Sequence, residues 1–118
     1  MILGIGLDLV EIERIAKVSG RTVKFSERIL SERELEIYKT LLKEKQVEYL
    51  AGRFAAKEAY SKAVGTGIGE GCEFHHIEIL NDEKGKPILY FDGELVSGFV
   101  SITHTKTVAA AQVILESD

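Results

Sequence analysis

Asp8 closes the run Gly4-Ile-Gly6-Leu-Asp8, and Glu58 and Lys62 stand four residues apart in Arg53-Phe-Ala-Ala-Lys57-Glu58-Ala-Tyr-Ser-Lys62. Carboxylates and an ammonium are groups that handle phosphate. Asp8 and Glu58 could together offer oxygens to a hard divalent cation, and magnesium suits so sparse a set because it completes its shell with water and substrate phosphates. The plain alternative is an i,i+4 Glu58–Lys62 pair on a solvated helix face, worth about 0.3–0.5 kcal/mol. Spacing alone favours that alternative, and position weakens it. The stripe Leu50, Phe54, Glu58, Lys62 begins apolar and turns charged, beside Ala51, Ala55, Ala56, Ala59 and Ala63, which admit another element closely.

Other clusters are weaker. Gly65-x-Gly67-x-Gly69-x-Gly71 is neither G-x-G-x-x-G nor a Walker A string, and it follows a helix where the dinucleotide motif follows a strand. It reads as a flexible connection or as bare backbone lying near a ligand. Cys72, His75 and His76 suggest a soft metal until they are put on a strand, where neighbours face opposite ways and both imidazoles cannot reach one ion. Ser101-Ile-Thr-His104-Thr-Lys106 puts an imidazole, hydroxyls and an ammonium at a strand end, fit for a phosphate or simply a solvated turn. Arg14, Lys17, Arg21 and Lys24 recur at three- and four-residue intervals with Ile15, Val18 and Phe25 interleaved. That basic stripe is either a solvated helix face or a steering surface for an acidic protein.

These residues need elements to hold them. In residues 2–10, Leu3, Ile5, Leu7 and Leu9 face one way while Ile2, Gly4, Gly6 and Asp8 face the other, a strand with one bare side that marks a close approach. From Glu11 the period turns helical, with Ile12, Ile15 and Ala16 together, and breaks at Gly20. Ser31 and Glu34 form a capping box opening a helix with Leu35, Tyr38, Leu41 and Leu42. Lys43-Glu44-Lys45 reads as a charged joint, followed by a long helix from about Val47 to Ala63 with Gly65 as C-cap. Strands follow at 75–80, 87–91, 98–104 and 107–115, with a turn at 81–85. Helices first and antiparallel strands after predict an α+β fold, helices packed on one antiparallel sheet.

At 118 residues the chain is expected to form one domain, 1–118, burying roughly two thirds of its unfolded surface. Fifteen Lys and Arg against nineteen Asp and Glu leave a net charge of −4, which argues against nucleic acid as a partner. A single cysteine permits no internal disulfide and fits a reducing, cytoplasmic setting. No apolar run approaches the ~18 residues of a membrane span, so no membrane partner is expected.

Taken together, Gly4-Ile-Gly6-Leu-Asp8, Arg53 to Lys62 with Gly65-Thr-Gly67-Ile after it, Gly85-Lys-Pro87 and Ser101-Ile-Thr-His104-Thr resemble the short, single-domain branch of the 4′-phosphopantetheinyl transferase superfamily over nearly the whole chain. A G-x-D followed about fifty residues later by K-E-A-x-x-K is specific to that superfamily. The resemblance implies transfer of the 4′-phosphopantetheine arm of coenzyme A to a serine of apo acyl carrier protein, releasing adenosine 3′,5′-bisphosphate, in support of fatty acid biosynthesis. It implies that Asp8 and Glu58 bind Mg2+ with the coenzyme A pyrophosphate and that Lys62 neutralises the phosphoryl group under attack. Arg53, His104 and Thr105 would hold the adenosine end and its 3′-phosphate, with the Gly65 and Gly67 loop along the coenzyme. Arg14, Arg21 and Lys24, with Phe25 alongside, would dock the acidic carrier. Thr103 stands where the family often has serine, which keeps the hydroxyl. The group that deprotonates the serine stays open. A homotrimer with sites between subunits is implied, partly served by the bare strand face and the alanine-rich helix. The competing expectation is a noncatalytic module binding coenzyme A or an acidic protein, and the joint presence of Asp8, Glu58 and Lys62 counts against it.

Overall fold

The even side of the first strand, β1 (Ile2–Glu11), carries Gly4, Gly6 and Asp8, and in the computed structural model, which describes residues 1–118, this side lies on the long helix α4 (Lys43–Val64). A Cβ built on Gly4 would stand 2.1 Å from the Ala63 carbonyl oxygen, and one on Gly6 1.7 Å from that of Ala59. Nothing larger than hydrogen fits at either position, which is why both are glycine. The bare face and the alanine-rich helix are thus spent on each other within one chain, a correction to their expected part in assembly. It is the opposite face that stays open, with Leu3, Ile5, Leu7 and Leu9 between 57% and 66% exposed.

β1 pairs antiparallel with β6 (Val108–Glu116) and β6 with β5 (Gly98–His104), so that Asp8 stands opposite Ala111. A second antiparallel sheet runs β2 (Ile77–Asn81), β3 (Pro87–Phe91), β4 (Glu94–Leu95). The α+β class is as expected, but the strands divide into two sheets of three where one was predicted. Asp92 and Gly93, both at positive φ (51° and 81°), turn the chain so that β4 pairs back on β3. A further difference lies at His75 and His76: they belong to a 3-10 turn, Phe74–His76, so β2 starts only at Ile77.

The helices α1 (Ile12–Arg21), α2 (Lys24–Ile29) and α3 (Glu32–Thr40) pack ahead of α4. α2 is additional to the sequence reading; its single buried isoleucine, Ile29, is too little to set a helical period. The Ser31–Glu34 capping box forms on both sides, Ser31 N–H to Glu34 Oε1 at 2.9 Å and Glu34 N–H to Ser31 Oγ at 3.2 Å. α3 nevertheless ends at Thr40. Leu41 and Leu42, both extended, form the joint expected at Lys43-Glu44-Lys45, and those three good helix formers are the first turn of α4.

α4 is the rod around which the rest is arranged: Leu50, Ala51, Ala55, Ala56, Lys57 and Ala59 have no exposed surface. Lys57 gives all three ammonium hydrogens to buried acceptors, Ile29 O (2.7 Å), Glu34 Oε1 (2.6 Å) and Phe74 O (3.1 Å). Burial pulls its pKa below the ordinary lysine value, opposed by Glu34. Glu34 in turn accepts from Ile79 N–H at 2.7 Å, and Arg53 donates to Ile79 O at 3.1 Å, so both polar groups of Ile79 on the outer strand β2 are satisfied by side chains.

The two kinds of glycine separate cleanly in a substitution pair. Gly6→Ala should destabilise the protein by about 3 kcal/mol or more, because backbone and not a flexible side chain stands in the way. Gly20→Ala, helical and in open space, should leave stability unchanged or raise it by up to about 1 kcal/mol. Denaturant unfolding of both variants measures the contrast.

Candidate active site

Asp8, two residues on from Gly6 along the bare face, is aimed at α4 by the pleat of β1. There its Oδ1 accepts from Lys62 Nζ at 3.0 Å, and the same ammonium donates to Leu7 O at 3.1 Å. The solvated Glu58–Lys62 pair is therefore not what forms; Lys62 crosses to the strand. Glu58 is half-buried one helical turn before it, and burial, then the nearby Asp8 charge, raise its carboxyl pKa above the ordinary value while Lys62 works to lower it. Two acids share one ammonium, leaving uncompensated negative charge. That surplus, on oxygens supplied by two different elements, is what a divalent cation with phosphate and water in its remaining positions would relieve, so the residues present fit magnesium.

The loop after α4 starts at the expected C-cap. Gly65 (φ +100°) and Gly67 (φ +72°) both donate their N–H groups to Ser61 O, at 3.0 and 3.2 Å, and Gly69 and Cys72 exchange two backbone bonds. A Cβ on any of Gly65, Gly67, Gly69 or Gly71 would meet nothing within 4 Å, so this backbone is bare toward solvent and open to a ligand. Cys72 is buried beneath it, its thiol pushed up by burial and pulled back by the Thr66 hydroxyl. The histidine rings of His75 and His76 sit 4.3 Å apart, so the strand argument that separated them does not apply; the Nδ1 of His76 is taken by Glu73 N–H at 2.9 Å.

Arg53, His104 and Thr105 are gathered elsewhere. Arg53 precedes Glu58 by five residues, which puts it about 7.5 Å back along the helix and about 140° round it. Only 7% exposed, it lies over the Tyr49 ring at 4.4 Å and donates to Asn81 Oδ1 at 3.2 Å as well as to Ile79 O. Its Nε and the Tyr49 hydroxyl are both buried without a partner, and burial pushes the tyrosine pKa up to about 12. A groove lined by Arg53, Tyr49, Lys45 and His104 opens here, and Asp8, Glu58 and Lys62 are not among its walls. Thr105 closes the neighbouring turn by accepting from Thr107 and Val108 N–H at 3.2 and 3.1 Å.

The basic stripe is exposed but belongs to two helices, Arg14, Lys17 and Arg21 on α1 and Lys24 on α2. Phe25 is half-buried, its ring 6.2 Å from Phe54, which stacks on Phe74 at 5.5 Å. Arg28 follows one turn later and lines a groove with Ile68, Gly69 and Phe74 beside the glycine loop. Sequence reasoning missed Arg28, whose spacing from Lys24 continues the stripe, and Lys57, whose buried partner Glu34 lies 23 residues away with no local signal.

The sequence matches the 4′-phosphopantetheinyl transferase superfamily over residues 4–114. It is 53% identical over 116 residues to the holo-[acyl-carrier-protein] synthase of a Geobacillus strain, covering 98% of each chain. The fold superimposes on a holo-(acyl-carrier-protein) synthase from Bacillus anthracis, solved in complex with CoA (3′,5′-ADP), with a TM-score of 0.90 at 52% identity over 100% of this chain and 99% of that one. The Helicobacter pylori holo-[acyl-carrier-protein] synthase, solved with coenzyme A, matches with a TM-score of 0.83 at 34% identity over 95% and 99%. An Asp8 held against α4 by a glycine strand, a Lys57-Glu58-Ala-x-x-Lys62 helix and a match over nearly the full length agree, and the chain belongs to the 4′-phosphopantetheinyl transferase superfamily.

Proposed function

We propose that the protein transfers the 4′-phosphopantetheine group of coenzyme A to a serine of apo acyl carrier protein, with Mg2+ as cofactor. The observation that carries this reading is the meeting of Asp8, Glu58 and Lys62 at one edge of α4. The serine oxygen forms a bond to the phosphorus bearing the pantetheine arm, the pyrophosphate P–O bond breaks, and adenosine 3′,5′-bisphosphate leaves with the electron pair. The serine proton passes to a base that the arrangement does not single out. Asp8 and Glu58 would hold the metal, which when bound neutralises pyrophosphate charge. Lys62, already tethered to Asp8, holds its ammonium where phosphoryl charge develops, so no reorganisation is needed at the moment of transfer.

The adenosine end and 3′-phosphate fall to Arg53, His104 and Thr105, with Gly65 and Gly67 along the coenzyme. The Arg53 groove and the Asp8–Glu58 cluster lie on different sides of one chain, which supports a site completed between neighbouring subunits of a homotrimer. The open face of Leu3, Ile5, Leu7 and Leu9 is the surface available for that assembly. Arg14, Arg21 and Lys24, with the exposed part of Phe25, form the docking surface for an acidic carrier. The expected setting is the cytoplasm and the expected role fatty acid biosynthesis; no helix is long and apolar enough to cross a membrane.

Incubation with coenzyme A, magnesium and apo acyl carrier protein should add a phosphopantetheine mass to the carrier, and Asp8→Ala or Glu58→Ala should abolish that gain; carriers that stay unmodified throughout would leave the noncatalytic module as the better reading. Glu58 also carries a stability signature. Its folded-state pKa lies above the unfolded value, so its ionisation destabilises the fold progressively as pH rises through that window, and nothing is lost below it. Glu58→Gln should therefore melt above the native protein at neutral pH without metal and level with it at pH 3, measured by thermal scans at both values. For docking, Arg14→Ala with Arg21→Ala should raise the KM for carrier about tenfold and leave the KM for coenzyme A within twofold, the order expected for two steering charges; an equal rise in both would remove the stripe from the docking surface.

A further inference from the structure

The ammonium of Lys57 has no exposed surface, and neither has the carboxylate of Glu34 that it meets at 2.6 Å. Apolar side chains of similar volume would fill the same space without the cost of stripping two charges of water, so burial of this pair does not explain itself as stabilisation. What the pair supplies is direction. The three acceptors of Lys57 come from three separate segments: Ile29 O ends α2, the helix presenting Lys24, Phe25 and Arg28; Glu34 caps α3 and holds β2 at Ile79; Phe74 O belongs to the wall of the groove beside the glycine loop. All three converge on the residue immediately before Glu58.

Alanine faces alone set the axial height and rotation of a helix loosely, because small apolar contacts are non-directional. α4 is held from two sides. On one, the carbonyls of Ala59 and Ala63 rest on Gly4 and Gly6. On the other, Lys57 makes three hydrogen bonds with preferred distances and angles to three separate segments, which resist rotation and sliding of the helix. Glu58 follows Lys57 by about 100° of helical rotation. Its aim toward Asp8 is therefore set by the Lys57 bonds.

We propose that Lys57 is a positioning residue for the transfer step: through Ile29, Glu34 and Phe74 it sets the rotation of α4, and with it the aim of Glu58, relative to the helices that receive the carrier. The inference rests on the transfer reaction proposed above. Lys57 itself touches neither substrate in this arrangement.

The test compares kcat per binding-competent chain, the number of competent chains being the stoichiometry of coenzyme A binding by calorimetry. Lys57→Met alone leaves the Glu34 charge buried and unpaired and risks unfolding, so the informative variant is Lys57→Met with Glu34→Gln, which removes both charges together. It should bind coenzyme A with unchanged stoichiometry and a KM within about threefold of the native protein, while kcat per competent chain falls about thirtyfold or more, the order expected for a displacement near 1 Å. Leu89→Ala, a core truncation in β3, is the control: it should lower the melting temperature and leave kcat per competent chain unchanged. If the double variant does not fold, Lys57→Arg carries the test: it keeps a positive charge opposite Glu34 and alters the bonds to Ile29 O and Phe74 O, and kcat per competent chain should fall about fivefold. A kcat per competent chain within threefold of native in the double variant, no change in Lys57→Arg where that variant carries the test, or a fall in Leu89→Ala equal to that of the variant tested overturns the positioning role. Absence of transfer by the native protein overturns the reaction itself.

Discussion

Two strand positions without side chains let the backbone of β1 rest on the Ala59 and Ala63 carbonyls of α4, and the reach of Asp8 to Lys62 depends on that approach. With a methyl group at position 4 or 6 the strand would have to move off, and a 3.0 Å charge-assisted hydrogen bond does not survive such a shift. The same approach orders the sheet. With β1 lying on α4, β6 and β5 follow in antiparallel register, and the strand end bearing His104 is carried to the side of α4 where Arg53 lies.

The other flank of α4 is polar where the first is bare. Arg53 and Lys57, one turn apart, hold the helix to the second sheet by way of Ile79, Asn81 and Glu34. Removing one partner of such a dehydrated ion pair costs about 3–5 kcal/mol, because the other charge is stranded without water. The helix is thus clamped by sterics on one side and by directed hydrogen bonds on the other, and the two residues proposed to meet phosphate, Glu58 and Lys62, project from between the clamps. Glu58 is half-buried there beside the Asp8 charge, and burial first and that charge second raise its carboxyl pKa.

Much of this was legible in the residues, because the signals are local. The glycine–leucine alternation of β1, the Ser31–Glu34 box and the Gly65 cap each depend on neighbours a few positions away, and each forms as expected. The first turn of α4 was misread because the run Lys43-Glu44-Lys45 looks like solvent-exposed linker while having the propensity of helix, and the true break at Leu41–Leu42 is apolar. α2 is too short to show a period. The approach of Asp8 to Glu58 was reached only as a possibility from charge and as an implication of the family motif, the bond of Asp8 to Lys62 was not anticipated, and which site residues fall in which of two separate regions was not readable from spacing, since it depends on angular position around α4. Burial of Lys57 was likewise unreadable: nothing in a Lys-Glu dipeptide tells which charge faces water.

The Lys57–Glu34 pair also constrains how this sequence can change over time. A neutral residue arriving first at either position meets a buried opposite charge with no partner, so each single step is a loss even when the doubly replaced, fully apolar end point would be as stable. Positions 34 and 57 are therefore separated from their alternatives by a fitness valley, and they can drift only in concert while the exposed residues around them drift one at a time.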